Sequence, residues 1–373
     1  MNWVDRVAAA NAAIRETGRW RSPRDLTGGG IETKLDDGRA VVSFASNDYL
    51  GLSQHPSVRR AAHEALDEHG AGSGSARLIV GARPEHRALE VALADWKGEE
   101  AATLFATGFA ANLGVLTVLG GPATLICSDE LNHASIIDGC RLAAADVAIY
   151  PHHDLAALDA MLAARGSRPA IVVTDTVFSM DGDVADVDAI AVLCARHDAL
   201  LVIDEAHAVL GPDPDPAALA ACAHVRVGTL SKTLGALGGF AASSRPIADL
   251  LVNRARSYIF TTASTPADTA AAGAALAVLR SPDGAARVAR LRGLVDRIAP
   301  GHPSPIVPIA CGTEARALDA AAALLEHGLL VPAIRPPTVP VGTSRLRVTV
   351  SSDHSDEQVD RLLVALDALG LHA

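Results

Sequence analysis

Between residues 57 and 285, short runs that are apolar throughout alternate with longer stretches of helical periodicity. The runs include Thr124-Leu-Ile-Cys127, Ala170-Ile-Val-Val-Thr174 and Leu200-Leu-Val-Ile-Asp204; the helical stretches include 57–69, 85–97 and 184–198. A strand with one wet face alternates apolar and polar residues, whereas these runs offer water no polar face and must be covered on both sides. Helices lying between the strands in sequence supply that cover. The predicted fold is α/β, a mainly parallel sheet wrapped by helices.

The ends of the chain read differently. An amphipathic helix with Val4, Val7, Ala8 and Ile14 on one side, an Arg- and Gly-rich linker and a polar turn at Asp36-Asp37-Gly38 make residues 1–45 an N-terminal arm. An Ala-rich helix at about 265–280 stops near Ser281-Pro-Asp-Gly284. Beyond it the order is helix 285–297, a Pro-rich strand region from Pro303 to Ala310, helix 313–327, strands at 329–334 and 345–350, and helix 355–369. Residues 46–283 are thus expected to form the large catalytic domain and 284–373 a smaller α+β domain.

The 43 acidic residues against 32 basic give a net charge of −11, which argues against a general role on phosphate backbones or anionic membranes. Cys127, Cys140, Cys194, Cys222 and Cys311 are scattered and never spaced as Cys-x-x-Cys, so neither a disulfide framework nor a zinc cluster is indicated. No apolar run approaches the 18 or so residues of a membrane span. The charged opening Met-Asn-Trp-Val-Asp-Arg is the reverse of a secretory signal. A reducing cytoplasm is the expected location.

Several familiar active-site signals fail. Gly70-Ala-Gly72-Ser-Gly74-Ser75 has the wrong spacing for a dinucleotide fingerprint, and no phosphate-cradling Gly-x-x-x-x-Gly-Lys precedes Asp204-Glu-Ala-His207 to make it a helicase-like motif. His-Glu-x-x-His and Gly-x-Ser-x-Gly are absent too. What remains is a set of polar groups at strand ends, where ligands of doubly wound sheets bind. Asp204 closes an apolar run and His207 follows it.

Of only three lysines, Lys34 and Lys97 sit among polar neighbours and read as surface charges, as do His152 and His153. Lys232 alone lies at a strand end running into a glycine-rich turn, Val227 to Gly239, where backbone approaches a ligand closely. A lysine and an aspartate at neighbouring strand ends are what pyridoxal 5'-phosphate requires. The amine forms a Schiff base with the aldehyde, and the carboxylate keeps the pyridine nitrogen protonated. Thr107-Gly108-Phe109-Ala-Ala-Asn112, opening an apolar helix, offers amides to the phosphate, and Thr229 offers a hydroxyl.

The segments Ser46-Asn-Asp-Tyr-Leu-Gly51, Thr107 to Asn112, Asn132-His-Ala-Ser-Ile-Ile137, Val177-Phe-Ser-Met-Asp-Gly-Asp183, Asp204 to His207, Thr229-Leu-Ser-Lys232 and Ile334-Arg-Pro-Pro-Thr-Val-Pro340 span nearly the whole chain. Together they resemble the α-oxoamine synthase family, pyridoxal phosphate enzymes of fold type I. The resemblance implies that Lys232 carries the cofactor and acts as base at the substrate Cα, and that Asp204 pairs with the pyridinium nitrogen. It implies that His207 and Ser179 bond the ring hydroxyl oxygen and that His133 stacks on the ring and polarises the thioester. Gly108, Phe109 and Thr229 would hold the phosphate, with Thr261 or Thr262 of a second subunit in a homodimer. Arg335, with Thr338, would clamp the amino-acid carboxylate, Arg21 would meet the far carboxylate of the acyl chain, and Asn47 would face substrate.

The implied reaction joins L-alanine to a pimeloyl thioester of coenzyme A or a carrier protein, with loss of CO2. Glycine with acetyl-CoA, an aldolase on the same scaffold, and a cofactor-binding protein without turnover are the alternatives. Two departures stand out: Ser75 replaces a further glycine, and the loop from Ala208 to Pro216 is short and Pro-rich.

Overall fold

The computed structural model describes residues 1–211 and 213–372; Pro212, in the Pro-rich loop after His207, and Ala373 lie outside the described residues. Its frame is a seven-stranded sheet in the order β4-β10-β9-β8-β7-β5-β6. The strands are β4 (Ala101–Phe105), β5 (Leu125–Asp129), β6 (Asp146–Tyr150), β7 (Ala170–Asp175), β8 (Leu200–Asp204), β9 (His224–Thr229) and β10 (Gly239–Ser243). Only β10 runs against its neighbours. The apolar runs became the inner strands for the reason the sequence gives: all six residues of β7 are buried, with Val172 and Val173 wholly so. Each such side chain contributes about 1.5–3 kcal/mol by leaving water.

Separate apolar clusters cover the two faces of this sheet. Leu158, Leu162, Ile190 and Ala191 belong to one, and Ala111, Val115, Leu116 and Leu251 to the other. The C-terminal ends of β5, β7, β8 and β9 are therefore raised to one edge, and the polar residues closing them meet there. Register makes one pair explicit: Asp175 stands opposite Asp204 on the adjacent strand.

The C-terminal region is the expected small α+β unit. Strands β11 (Ile306–Gly312), β13 (Ala333–Ile334) and β14 (Ser344–Thr349) form a sheet in the order β11-β14-β13. The predicted strand at 329–334 is two short strands, because Pro332 interrupts it between β12 (Leu329–Leu330) and β13.

Residues 1–45 are more than an arm. Strands β1 (Leu26–Thr27), β2 (Glu32–Leu35) and β3 (Ala40–Ser43) form a sheet that β12 completes in parallel with β3. Val42 and Phe44 join a core shared with Leu291, Leu346 and Leu362. Alternation in Glu-Thr-Lys-Leu, with Thr33 and Leu35 buried, carries the strand signal that a reading of the segment as linker overlooks. Helix α1 (Trp3–Glu16) is present and capped by Asn2, yet it buries no residue, and its Trp3 and Val4 are 81% and 77% exposed.

Candidate active site

Helix α4 (Gly108–Leu119) begins beside the sheet edge, with Thr107 as its cap accepting from the Ala110 amide at 3.0 Å. Its first turn is pressed onto the sheet. A Cβ on Gly239 would lie 2.4 Å from the Gly108 nitrogen, and one on Gly108 would lie 3.1 Å from Cβ of Thr229. Only glycine at these two points brings free helix amides, with their positive end of the dipole, against the Thr229 hydroxyl. Helices α2 (Pro56–His69) and α3 (Pro84–Lys97) precede α4 in the chain, and α5 (Ala134–Leu142) starts at the same edge, capped by His133.

Between these elements is a cleft of about 220 Å³, lined by Thr107, Gly108, Phe109, His133, Ser135, Asp175, Asp204, Ala206, His207, Thr229, Ser231 and Lys232. Seven residues singled out in the sequence, Gly108, Phe109, His133, Asp204, His207, Thr229 and Lys232, are thus brought to one place. A larger cavity of about 680 Å³ lies behind, sharing Ala206 and Thr229, but Lys232 does not line it.

The polar groups of the cleft are ordered in two chains. In the first, Nζ of Lys232 lies 2.7 Å from His207 Nε2, and His207 Nδ1 lies 2.5 Å from the Tyr49 hydroxyl. Tyr49 donates to Asn47 Oδ1 at 3.3 Å, which also accepts from Arg347 at 3.2 Å. One tautomer satisfies all of these: Lys232 donates to Nε2, and Nδ1–H donates to the phenol oxygen. Burial, aided by the Lys232 charge, keeps the His207 pKa well below normal, so the ring is neutral. Burial also lowers the Lys232 pKa, against the opposing pull of Asp204 and Asp175.

In the second chain, Asp204 accepts from Asn112 at 2.6 Å through Oδ2 and from the Ala206 amide at 2.9 Å through Oδ1. Asp175 accepts from the His133 amide at 2.7 Å. Burial, then the neighbouring Asp204 charge, drives the Asp175 pKa well up. Burial lowers the His133 pKa.

Other expected residues lie elsewhere. Ser179 does not line the cleft; its carbonyl accepts from Arg347 Nε at 2.5 Å. Thr262 lines a separate small gap beside Tyr258. Arg335 donates to the Gly18 carbonyl at 2.6 Å and faces Glu314, and Arg21 reaches Thr338 at 3.4 Å, so these three residues cluster by the N-terminal segment and not in the cleft. Asn47 is reached only through Tyr49 and Arg347.

Lys97 is not a surface charge. Its ammonium is 2.8 Å from Glu205, which Arg226 also engages, and it lies over the Trp96 ring. His152 is not solvent-facing either: it bridges Asp129 and Asp183 at 2.9 and 2.7 Å.

Four residues of the site escaped the sequence reading. Asp175 closes an apolar run just as Asp204 does, and the same rule would have found it. Arg347 is 6% exposed in Leu346-Arg-Val348, an arginine between two wholly buried residues, which signals an internal cation. Asn112 and Tyr49 stand inside motifs already noted, but their partners are 92 and 158 residues away.

The donor set fits pyridoxal phosphate: amine, ring-nitrogen carboxylate, neutral imidazoles, and a glycine-floored helix terminus with hydroxyls for the phosphate. Lys232 and Asp204 line one small cleft and sense each other's charge, as a single ring between them demands.

Comparison with known proteins agrees with this geometry. Residues 39–366 match the model of the class I and II aminotransferase family. The 8-amino-7-oxononanoate synthase of Anaeromyxobacter dehalogenans is 50% identical over 350 residues, covering 89% of this chain and 87% of the relative. That of Geobacter sulfurreducens is 43% identical, covering 98% and 97%. Among solved structures, Sphingomonas wittichii serine palmitoyltransferase superposes with a TM-score of 0.90 at 31% identity, covering 98% of this chain and 96% of the other. The Francisella tularensis 8-amino-7-oxononanoate synthase does so with 0.71 at 26%, covering 88% and 96%.

Proposed function

The chain belongs to the class I and II aminotransferase family and, within it, to the 8-amino-7-oxononanoate synthases, and from that premise we infer that it condenses L-alanine with a pimeloyl thioester, releasing CO2 and the thiol carrier. The observation that carries the reading is the convergence of Lys232, Asp204, His207 and His133 in one cleft.

Pyridoxal 5'-phosphate, when bound, supplies an aldehyde for amines and a cationic ring that draws electrons from the amino-acid Cα. Lys232 would hold that group through Nζ and, once displaced by alanine, take the Cα proton, a role that its burial-lowered pKa favours. Asp204, fixed by Asn112 and the Ala206 amide, would keep the ring nitrogen protonated. His207 is held by Tyr49 and would orient Lys232. His133 would cover the ring face and offer a proton donor to the thioester oxygen.

For the alanine carboxylate we assign Arg347 in place of Arg335. Arg347 is the buried cation whose charge reaches Lys232 and His207, whereas Arg335 lies by the N-terminal segment with Arg21 and Thr338. A planar guanidinium gripping the carboxylate fixes which Cα bond stands perpendicular to the ring. Arg21, which reaches Thr338 beside Arg335, would meet the distal carboxylate of the acyl chain.

A homodimer is part of this reading. Leu78, Ile79, Val80 and Phe260 are 49, 72, 68 and 70% exposed and lie near Thr262, an apolar surface of the kind that subunits cover. All five cysteines are free, and no described helix is long and apolar enough to cross a membrane.

The test is a substrate comparison on the cofactor-loaded protein, following thiol release and product mass. Alanine with pimeloyl-CoA should give the amino ketone and outpace glycine or serine with any thioester. Preference for glycine with acetyl-CoA would overturn the assignment.

A further inference from the structure

Outside the cleft, His152, His153 and Asp183 converge. His153 has φ +62°, which turns the chain so that the two rings of this consecutive pair lie on one side, their centroids 3.7 Å apart. Both Nε2 atoms are 2.7 Å from the same oxygen, Oδ2 of Asp183. The sequence does not announce the trio, because Asp183 comes from a hairpin 30 residues further on.

Two further observations bear on what this cluster binds. Asp129, 4% exposed, accepts from His152 Nδ1 at 2.9 Å. With the neutral ring's hydrogen on Nδ1, the Nε2 lone pair faces a carboxylate oxygen and is placed to share a cation with it. The carboxylate–histidine pair is also the outer support that metal-binding imidazoles use to fix their orientation. Secondly, Asp183 Oδ1 is buried and has no hydrogen-bond partner, so the carboxylate retains an unused ligand atom.

We propose that His152, His153 and Asp183 bind a divalent transition-metal ion of the zinc class, with Asp129 as outer support and a water or anion in the fourth position. The chemistry selects the ion. Two imidazoles and one carboxylate suit zinc, whereas calcium and magnesium prefer all-oxygen sets. Tetrahedral bonds of about 2.0–2.1 Å set ligand atoms roughly 3.3 Å apart. The ion therefore parts the 2.7 Å contacts by about half an ångström, and His153, with its side chain 44% exposed, is free to move by that much. The site joins the loop after β6, and through Asp129 the loop carrying His133, to the hairpin carrying Ser179. Its role is to fasten that junction, and it takes no part in the condensation. The rival occupant is a proton, making His152 an imidazolium between two carboxylates.

Titration of the chelator-treated, cofactor-loaded protein with zinc chloride at pH 7.5, read by equilibrium dialysis and thermal unfolding, distinguishes the two. The proposal expects one ion per chain, a raised Tm, and at least tenfold weaker binding in His153→Asn, which alters an exposed side chain and leaves the fold intact. His69→Gln, in the other cluster of potential ligands (Glu68, His69 and Glu85), should bind zinc as before. Cobalt(II) should give tetrahedral d–d absorption in the parent protein and not in His153→Asn. Equal zinc binding by parent and His153→Asn, loss of binding in His69→Gln instead, or no retained ion would overturn the proposal in favour of the proton.

Discussion

Nζ of Lys232 lies 2.7 Å from Nε2 of His207, and the opposite nitrogen of that imidazole lies 2.5 Å from the Tyr49 hydroxyl. The lysine is thus one end of a buried chain that continues to Asn47 and Arg347. Removing the phenol oxygen leaves the Nδ1–H of His207 without an acceptor, at about 1–3 kcal/mol. Tyr49→Phe should therefore reduce kcat by roughly 5- to 100-fold and alter its pH profile, while the visible band of the bound cofactor persists. An unchanged pH profile would mean that Tyr49 only fills space.

Asn112 is the neutral donor to Asp204, at 2.6 Å, and its own Oδ1 has no partner. Asn112→Ala strips the buried carboxylate of that bond. Fluorescence titration of apoprotein with pyridoxal phosphate should show affinity about 10- to 150-fold weaker, as one charge-assisted bond of about 1.5–3 kcal/mol implies. Asn112→Asp should bind more weakly still, since it places a further carboxyl against Asp204.

The two candidate carboxylate clamps separate cleanly by kinetics. Arg347→Lys should raise KM for alanine by about 10- to 100-fold, because an ammonium cannot reproduce the planar fork. Arg335→Lys should leave the alanine KM near its parent value and affect the thioester KM if it affects either. The reverse pattern would restore Arg335 to the role that the family resemblance gives it.

These assignments show where a sequence is readable. Lys232, Asp204 and His207 were legible because a strand end is a local feature: an apolar run followed by a polar residue needs no knowledge of neighbours. The parallel sheet was legible for the same reason. Arg347 and Lys97 were not, since each is buried by partners far away in the chain. Lys97 reads as a surface charge until Glu205 and Arg226 meet it across β8 and β9. Strand β2 was legible in the alternation of Glu32 to Leu35 and pairs locally with β3, but the partner that ties this pair into the small domain, β12 beside β3, arrives nearly 300 residues later.

A pH effect on stability follows from His354. Its ring stacks on Phe44 at 4.1 Å, accepts from the Ser351 amide at 2.9 Å and donates to the Ser43 carbonyl at 3.1 Å. Burial holds its pKa down to about 4, from an ordinary 6.5. The unfolded chain then takes up a proton that the folded chain refuses. The contribution is complete above about pH 6.5 and lost as pH falls to about 4, amounting to about 3 kcal/mol. Urea unfolding at pH 7 and 4.5 should show a steeper loss for the parent than for His354→Gln.

With three lysines in the chain, the central claim reduces to which amine holds the cofactor. Borohydride reduction of the loaded protein, followed by proteolysis and mass spectrometry, should place the phosphopyridoxyl group on the peptide containing Lys232, with Lys34 and Lys97 unmodified. Label on either of those two, or no covalent label at all, would contradict the account.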